Sequence, residues 1–189
     1  MKNQQTSKQC PFISVVVPAF NEEKYLGLCL ESIRSQAYPK DRLEIIVVDN
    51  NSTDRTPQIA KEFGVKVILE KRQGYVFALQ KGMDESLGDI IAVTDADTRV
   101  SSNWLGVIKE AFRDPGIVAI TGRVKLDNKS KFINISTGAL YTIFLHVSSF
   151  IDKPNLTGFN FAVRKDAFLK VGGLNTLFEM SPDVDLGLR

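Results

Sequence analysis

Ile90-Ile91-Ala92-Val93-Thr94-Asp95-Ala96-Asp97 is the stretch that decides the fold. Five apolar or β-branched residues in a row read as a strand buried on both faces, as in parallel sheets. Two carboxylates follow, two positions apart. An Asp-x-Asp pair alone also suits a surface turn. Just past a buried strand, however, Asp95 and Asp97 are fixed at the sheet's carboxyl edge, where both can converge on one hard cation. Mg²⁺ or Mn²⁺ prefers such oxygen ligands, keeps waters and commonly bridges to phosphates.

The same arrangement recurs upstream. Ile13 to Val17 is a β-branched run ended by Pro18-Ala19-Phe20-Asn21-Glu22, and Leu43 to Val48 runs into Asp49-Asn50-Asn51-Ser52. Val65 to Leu69 leads to Glu70-Lys71-Arg72-Gln73-Gly74. Helical spacing fills the intervals: Tyr25, Leu26, Cys29, Leu30 and Ile33; then about Thr53 to Phe63, stopped at Gly64; Gly74 to Ser86; and Asn103 to Phe112. Ile117 to Val124 reads as a further strand. Strand and helix in alternation mean an α/β fold with a mostly parallel sheet flanked by helices. Ligands of such sheets bind beyond the carboxyl ends of the strands, where all four polar clusters fall. Asp49 can accept from a base imide or a ribose hydroxyl, or simply start a turn with Asn50 and Asn51. Lys71 and Arg72 can balance a diphosphate or form a solvated surface. Gly74 permits close backbone approach or a helix start. Neither GxGxxG nor GxxxxGK[ST] occurs, which disfavours a dinucleotide fold and a nucleoside triphosphatase.

The rest of the composition excludes more than it specifies. The 189 residues suit one domain, and 24 basic against 22 acidic residues give no case for nucleic acid as a partner. Cys10 and Cys29 lack metal-ligand spacing; Cys29 reads as a small core residue and Cys10 as part of a polar tail, residues 1–11. Met1 to Gln9 lacks the apolar run of a signal peptide, so a cytoplasmic location is expected. Phe132 to Ile151 is the most apolar segment, but Asn134, Ser136, Thr137, His146, Ser148 and Ser149 make it too polar to span a bilayer. Within it Leu140, Ile143, Phe144, Val147 and Phe150 recur as an amphipathic helix. Flanked by Lys129, Lys131 and Lys153, that helix allows peripheral contact with the inner face of a membrane, or packing on its own sheet. His146, on the same helix, reads as packing or surface. Trp104, Phe159 and Phe161 read as core, and Leu156 to Val163 as a strand. Ser181 and Pro182 suit a helix start. That helix is barely begun at Arg189, so a fragment or shortened version of a longer architecture is expected.

Together these motifs resemble glycosyltransferase family 2, of GT-A fold. The resemblance runs from Val15-Val16-Val17-Pro18-Ala19-Phe20-Asn21-Glu22 through Val47 to Asp54, Gly74 with Ala78 and Gly82, and Asp95-Ala96-Asp97. It continues through Gly158 to Arg164, Val171-Gly172-Gly173-Leu174 and Pro182-Asp183-Val184-Asp185-Leu186. It implies a GT-A, Rossmann-like sheet with a nucleotide-sugar-binding half, residues 12–124, and an acceptor-side half, residues 125–189. Pro18, Ala19, Asn21 and Glu22 would border the nucleoside, and Asp49 would hold the base, typically uracil. Asp95 would face ribose and metal, Asp97 would be the main metal ligand, and Asp183 the general base. The implied reaction is metal-dependent, inverting transfer from a nucleotide-sugar, UDP-linked by preference, to a lipid-linked or glycan acceptor. The alternative is a truncated binding module with little turnover. Two departures stand out: Pro182 replaces a glutamate, and Gln80 stands where the family often has asparagine.

Overall fold

The computed structural model describes residues 10–122, 159–177 and 185–187. Strands β1 (Ile13–Ala19), β2 (Leu43–Asp49), β3 (Lys66–Leu69), β4 (Ile90–Thr94), β5 (Ala119–Thr121) and β6 (Asn160–Arg164) form one sheet in the order β3-β2-β1-β4-β6-β5. The helices are α1 (Leu26–Arg34), α2 (Thr56–Glu62), α3 (Tyr75–Asp84), α4 (Trp104–Ala111) and α5 (Lys165–Lys170), with a 3₁₀ turn at Lys40–Arg42. β3, β2, β1 and β4 pair in parallel, and β6 runs antiparallel to both β4 and β5.

Continuous hydrophobic strands follow from coverage of both faces. All seven residues of β1 and all five of β4 are buried. Alternate side chains feed two cores. Val15, Val17, Val47 and Ala92 pack with Leu26, Cys29, Leu30 and Ile33 of α1, Ala60 of α2, and Trp104, Leu105 and Ile108 of α4. Val16, Ile46, Val48, Ile91 and Val93 pack with Val76, Leu79 and Met83 of α3 and Phe168 of α5. Gly82 lets α3 sit close to the sheet: a Cβ there would lie 2.4 Å from Val16 Cγ1 and 2.8 Å from Val48 Cγ2.

The mostly parallel α/β architecture agrees with the sequence expectation, with four differences. β6 inserts against the sheet's direction between β4 and β5, an order that local periodicity does not encode. The six-residue α5 is too short to show a helical repeat. Tyr25 precedes α1 and is about half exposed, so it is not part of the apolar stripe. Cys10 and Pro11, assigned by sequence to a polar tail, are held in place. Cys10 is buried, its carbonyl accepts from Arg42 Nε (3.1 Å), and the Pro11 carbonyl accepts from the Tyr38 hydroxyl (2.6 Å). The helix expected around Leu140 to Phe150, with His146, lies outside the described residues. So do Ser181 and Pro182, although 185–187 are helical. No helix among the described residues is long and apolar enough to cross a membrane.

Candidate active site

In this sheet β2 and β3 lie to one side of β1 and β4 lies to the other, so the chain reverses its winding between β1 and β4. Such a switch opens a crevice at the carboxyl edge. A crevice of about 320 Å³ lies there. It is lined by Pro18 and Ala19 at the end of β1, Phe20 and Glu22 just beyond it, Asn50 after β2, and Asp95, Ala96 and Asp97 after β4. Gln73, Gly74, Tyr75 and Ala78, at the start of α3, close it.

Hydrogen bonds between neighbouring loops hold the rim. Asn21 and Asn51 adopt positive φ (55° and 64°), a region asparagine tolerates better than most residues. In that conformation Asn21 Oδ1 accepts from the Thr53 amide (2.8 Å), and the Asn21 amide donates to Ser52 Oγ (3.0 Å). The Glu22 amide donates to Thr56 Oγ1 (2.7 Å). Thus Asn21 ties the β1 and β2 loops together and does not itself line the crevice.

Asn50 does more than its reading as a turn residue suggested. Its Nδ2 donates to the carbonyls of Glu70 (3.1 Å) and Arg72 (2.7 Å), and its Oδ1 accepts from the Gly74 amide (2.9 Å). The Asn50 carbonyl accepts from Gln73 Nε2 (2.8 Å). One buried side chain therefore folds the 70–74 loop over the end of β2 and sets Gly74, with φ of 135°, at the head of α3.

Asp49 is only 6% exposed, and its Oδ1 accepts from the Ser52 amide (3.1 Å). The turn reading of Asp49 is realised, and the crevice wall at this strand is Asn50. Arg72 also departs from its expected place. Its Nε and Nη2 donate to the two carboxylate oxygens of Glu70 at 3.0 Å each, and its guanidinium stacks 4.8 Å from the Phe77 ring centroid. The Arg72 side chain holds the Glu70 carboxyl down at about 2. Arg72 is thus engaged by its own loop and is not a crevice residue.

Asp95 accepts from the Tyr75 hydroxyl at 3.4 Å, which links β4 to the first turn of α3. The Asp95 backbone carbonyl meets Cys29 Sγ (3.5 Å), and burial pushes that thiol up to about 12, so Cys29 is an inert packing residue. Burial, and then the charges of Asp97, Asp54 and Asp95, raise the Glu22 carboxyl above its usual range. The crevice therefore gathers Glu22, Asp95 and Asp97, and no lysine or arginine lines it among the described residues. Two hard carboxylates beside a pocket of this size suit an Mg²⁺ or Mn²⁺ ion that completes its shell with water and phosphate oxygen. Asp183 lies outside the described residues.

A larger groove, about 610 Å³, opens among Arg34, Lys40, Leu43, Phe63 and Lys66. Its cations are already engaged, Arg34 on the Phe63 carbonyl, Lys40 on the Arg34 carbonyl and Lys66 between Glu44 and Glu85. It lies where β2 and β3 begin, away from the polar strand ends.

The chain is 33% identical over its whole length to the probable glycosyltransferase YdaM of Bacillus subtilis, covering 48% of that protein. It is 32% identical over 86% of its length to the glycosyltransferase AglE of Haloferax volcanii, covering 55%. The chain thus spans about half the length of these curated relatives. The mannosyltransferase PcManGT from Pyrobaculum calidifontis, solved with GDP-Man and Mn²⁺, superposes with a TM-score of 0.78 at 25% identity, covering 94% of this chain and 51% of that one. The family model for glycosyl transferase family 2 matches residues 14–172, a span that takes in β1, Asp49, the Asn50-pinned loop and the Asp95–Asp97 pair, and the chain belongs to that family.

Proposed function

We propose that this chain transfers a sugar from a nucleoside-diphosphate donor held in the β1–β4 crevice, with a divalent cation, and with inversion at the anomeric carbon. The observation that carries this reading is the charge of the crevice. Glu22, Asp95 and Asp97 face a site that must accept a diphosphate, and no basic side chain lines it among the described residues. Like charges repel unless a cation lies between them, and Asp97 with Asp95 supplies the ligands for one. The cation would neutralise charge on the departing nucleoside diphosphate. PcManGT was solved with Mn²⁺, which supports the same chemistry here.

Pro18, Ala19 and the Asn50-pinned loop form the walls for the nucleoside, with Asn21 and Glu22 setting the rim. The uridine preference rests on Asp49, whose buried carboxylate accepts from the Ser52 amide and would have to turn to meet a base, so UDP and GDP are the nucleotides to compare. Arg72 would reach a phosphate only by leaving Glu70. Asp183 would deprotonate the acceptor hydroxyl, which then attacks from the face opposite the leaving group in a single displacement. The neighbouring Leu186 is buried with Phe168 and Leu174 on the α3 face of the sheet, which supports an anchored acceptor side. The acceptor proposed is a lipid-linked sugar or glycan, presented at the inner face of a membrane.

The test is turnover of UDP- and GDP-hexoses with Mn²⁺ and a panel of lipid-phosphate and glycan acceptors. Asp183→Asn is expected to keep nucleotide affinity within about twofold and to cut transfer by about 10²-fold or more. Transfer undiminished in Asp183→Asn would remove Asp183 from the chemistry. Nucleotide-sugar binding with no transfer to any acceptor would leave a binding module.

A further inference from the structure

We propose that Gln80 is a positioning residue for the acceptor side, the clamp by which helix α3 fixes the chain that leads to Asp183. The inference rests on the transferase reading above. α3 has two ends with different duties: its first turn lines the crevice through Gly74, Tyr75 and Ala78, and Gln80 lies further along. Gln80 Oε1 accepts from the Leu174 amide at 2.7 Å, across 94 positions of sequence, and Gln80 Nε2 donates to Asp84 Oδ1 at 2.7 Å. These two partners fix the orientation of the amide. A backbone N–H must meet the oxygen, and a carboxylate must meet the nitrogen.

The turn that Gln80 grips is built to receive it. Gly172 and Gly173 have φ of 77° and 78°, the left-handed region that other residues enter at a cost. A Cβ on Gly173 would lie 2.8 Å from Gln80 Nε2, so the turn closes directly on the side chain. The Gly173 amide donates to the Phe168 carbonyl (3.1 Å), which joins the turn to α5. Leu174 then enters the core beside Leu79, Met83 and Phe168, and Leu186 enters the same cluster. In sequence Asp183 falls between Leu174 and Leu186. Both flanking anchors thus belong to the face of the sheet that α3 covers. Gln80 supplies the polar half of the first anchor. The same helix therefore bears on the donor crevice and on Leu174 and Leu186, the described residues that flank the proposed base in sequence, and a displacement of about 1 Å between reacting groups costs on the order of 10²-fold in rate.

The experiment compares wild type, Gln80→Leu, and the double variant Gln80→Glu with Asp84→Asn. The double variant keeps an acceptor for Leu174 and reverses the polarity of the bond to position 84. Three quantities are measured: hydrogen exchange of the Leu174 amide, the Kd of Mn²⁺-UDP and Mn²⁺-GDP, and sugar release from UDP- and GDP-hexoses. In Gln80→Leu, Leu174 should exchange at least about tenfold faster. Nucleotide Kd should stay within about twofold and turnover should fall by about tenfold or more. The double variant should recover most of both losses. An unchanged Leu174 exchange rate in Gln80→Leu overturns this inference alone. So does nucleotide affinity that falls in step with turnover, which would place Gln80 on the donor side. A double variant as impaired as Gln80→Leu also overturns it. A wild-type chain that binds neither nucleotide and releases sugar from no donor overturns the transferase reading, and this inference with it.

Discussion

Replacing Gly82 with alanine adds one methyl group where α3 presses on the centre of the sheet. The added Cβ would stand 2.4 Å from Val16 Cγ1 and 2.8 Å from Val48 Cγ2. Both valines are fully buried and β-branched, and both belong to strands paired in register, so neither can turn aside. The helix must move instead. Overpacking of this kind costs about 1–3 kcal/mol. Alanine's better helix propensity returns about 1 kcal/mol, so the net loss is up to about 2 kcal/mol. Gly27, in α1, is the control. A Cβ there meets nothing closer than 3.8 Å, at Phe63 Cε2, which is ordinary contact. Gly27→Ala should therefore stabilise by about 0.4–1 kcal/mol through reduced freedom of the unfolded chain. In a domain of this size, 1 kcal/mol moves the melting temperature by about 2–4 °C. Thermal unfolding of the two variants should give shifts of opposite sign. Mn²⁺-nucleotide affinity should fall only in Gly82→Ala, because the displaced helix carries Gly74, Tyr75 and Ala78. Equal shifts of the same sign would refute the packing argument.

Other perturbations follow from single side chains. Asn50→Ala removes the donors to the Glu70 and Arg72 carbonyls and strands the Gly74 amide, so urea denaturation should show a loss of about 1–3 kcal/mol, with weakened nucleotide binding. Thr94 Oγ1 is buried and has no hydrogen-bond partner among the described residues. Thr94→Val should therefore be neutral or stabilising by up to about 1 kcal/mol in the same assay. Arg72 holds the Glu70 carboxyl at about 2, below its unfolded value, so the latch stabilises the loop above the ordinary carboxylate range and is lost as pH falls through about 2. Arg72→Ala should return Glu70's titration, followed by carboxyl NMR, toward 4.5.

The parts of this fold legible in the sequence are those whose cause is local. Ile13 to Val17, Leu43 to Val48 and Ile90 to Thr94 announce strands because coverage of both faces favours near-continuous runs of apolar and β-branched residues. Gly64 stops α2 in a left-handed turn, with φ of 66°, as its place after Phe63 implied. Asp95 and Asp97 fall at the crevice because β4 ends where it was expected to end. What escaped depends on long-range contact. Nothing in Asn160 to Arg164 says that this strand runs against β4, and nothing near Cys10 and Pro11 says that Arg42 will hold the one and Tyr38 the other. Asn50 looked like a turn residue because its partners lie 20 to 24 positions away. Arg72's engagement was nearer to hand: Glu70 stands two residues before it, and charge pairing within a loop competes with any charge a ligand brings.

The most direct measurement of the central claim is calorimetric titration of UDP and GDP into wild type and Asp97→Ala, each with Mn²⁺ and with chelator. A crevice lined by three carboxylates and, among the described residues, no lysine or arginine should bind nucleotide at least about tenfold more tightly with Mn²⁺, a gain of about 1.4 kcal/mol. Asp97→Ala should lose that gain while retaining the wild-type fold by circular dichroism. Equal affinity in Mn²⁺ and in chelator, or a metal effect that survives Asp97→Ala, would contradict the account.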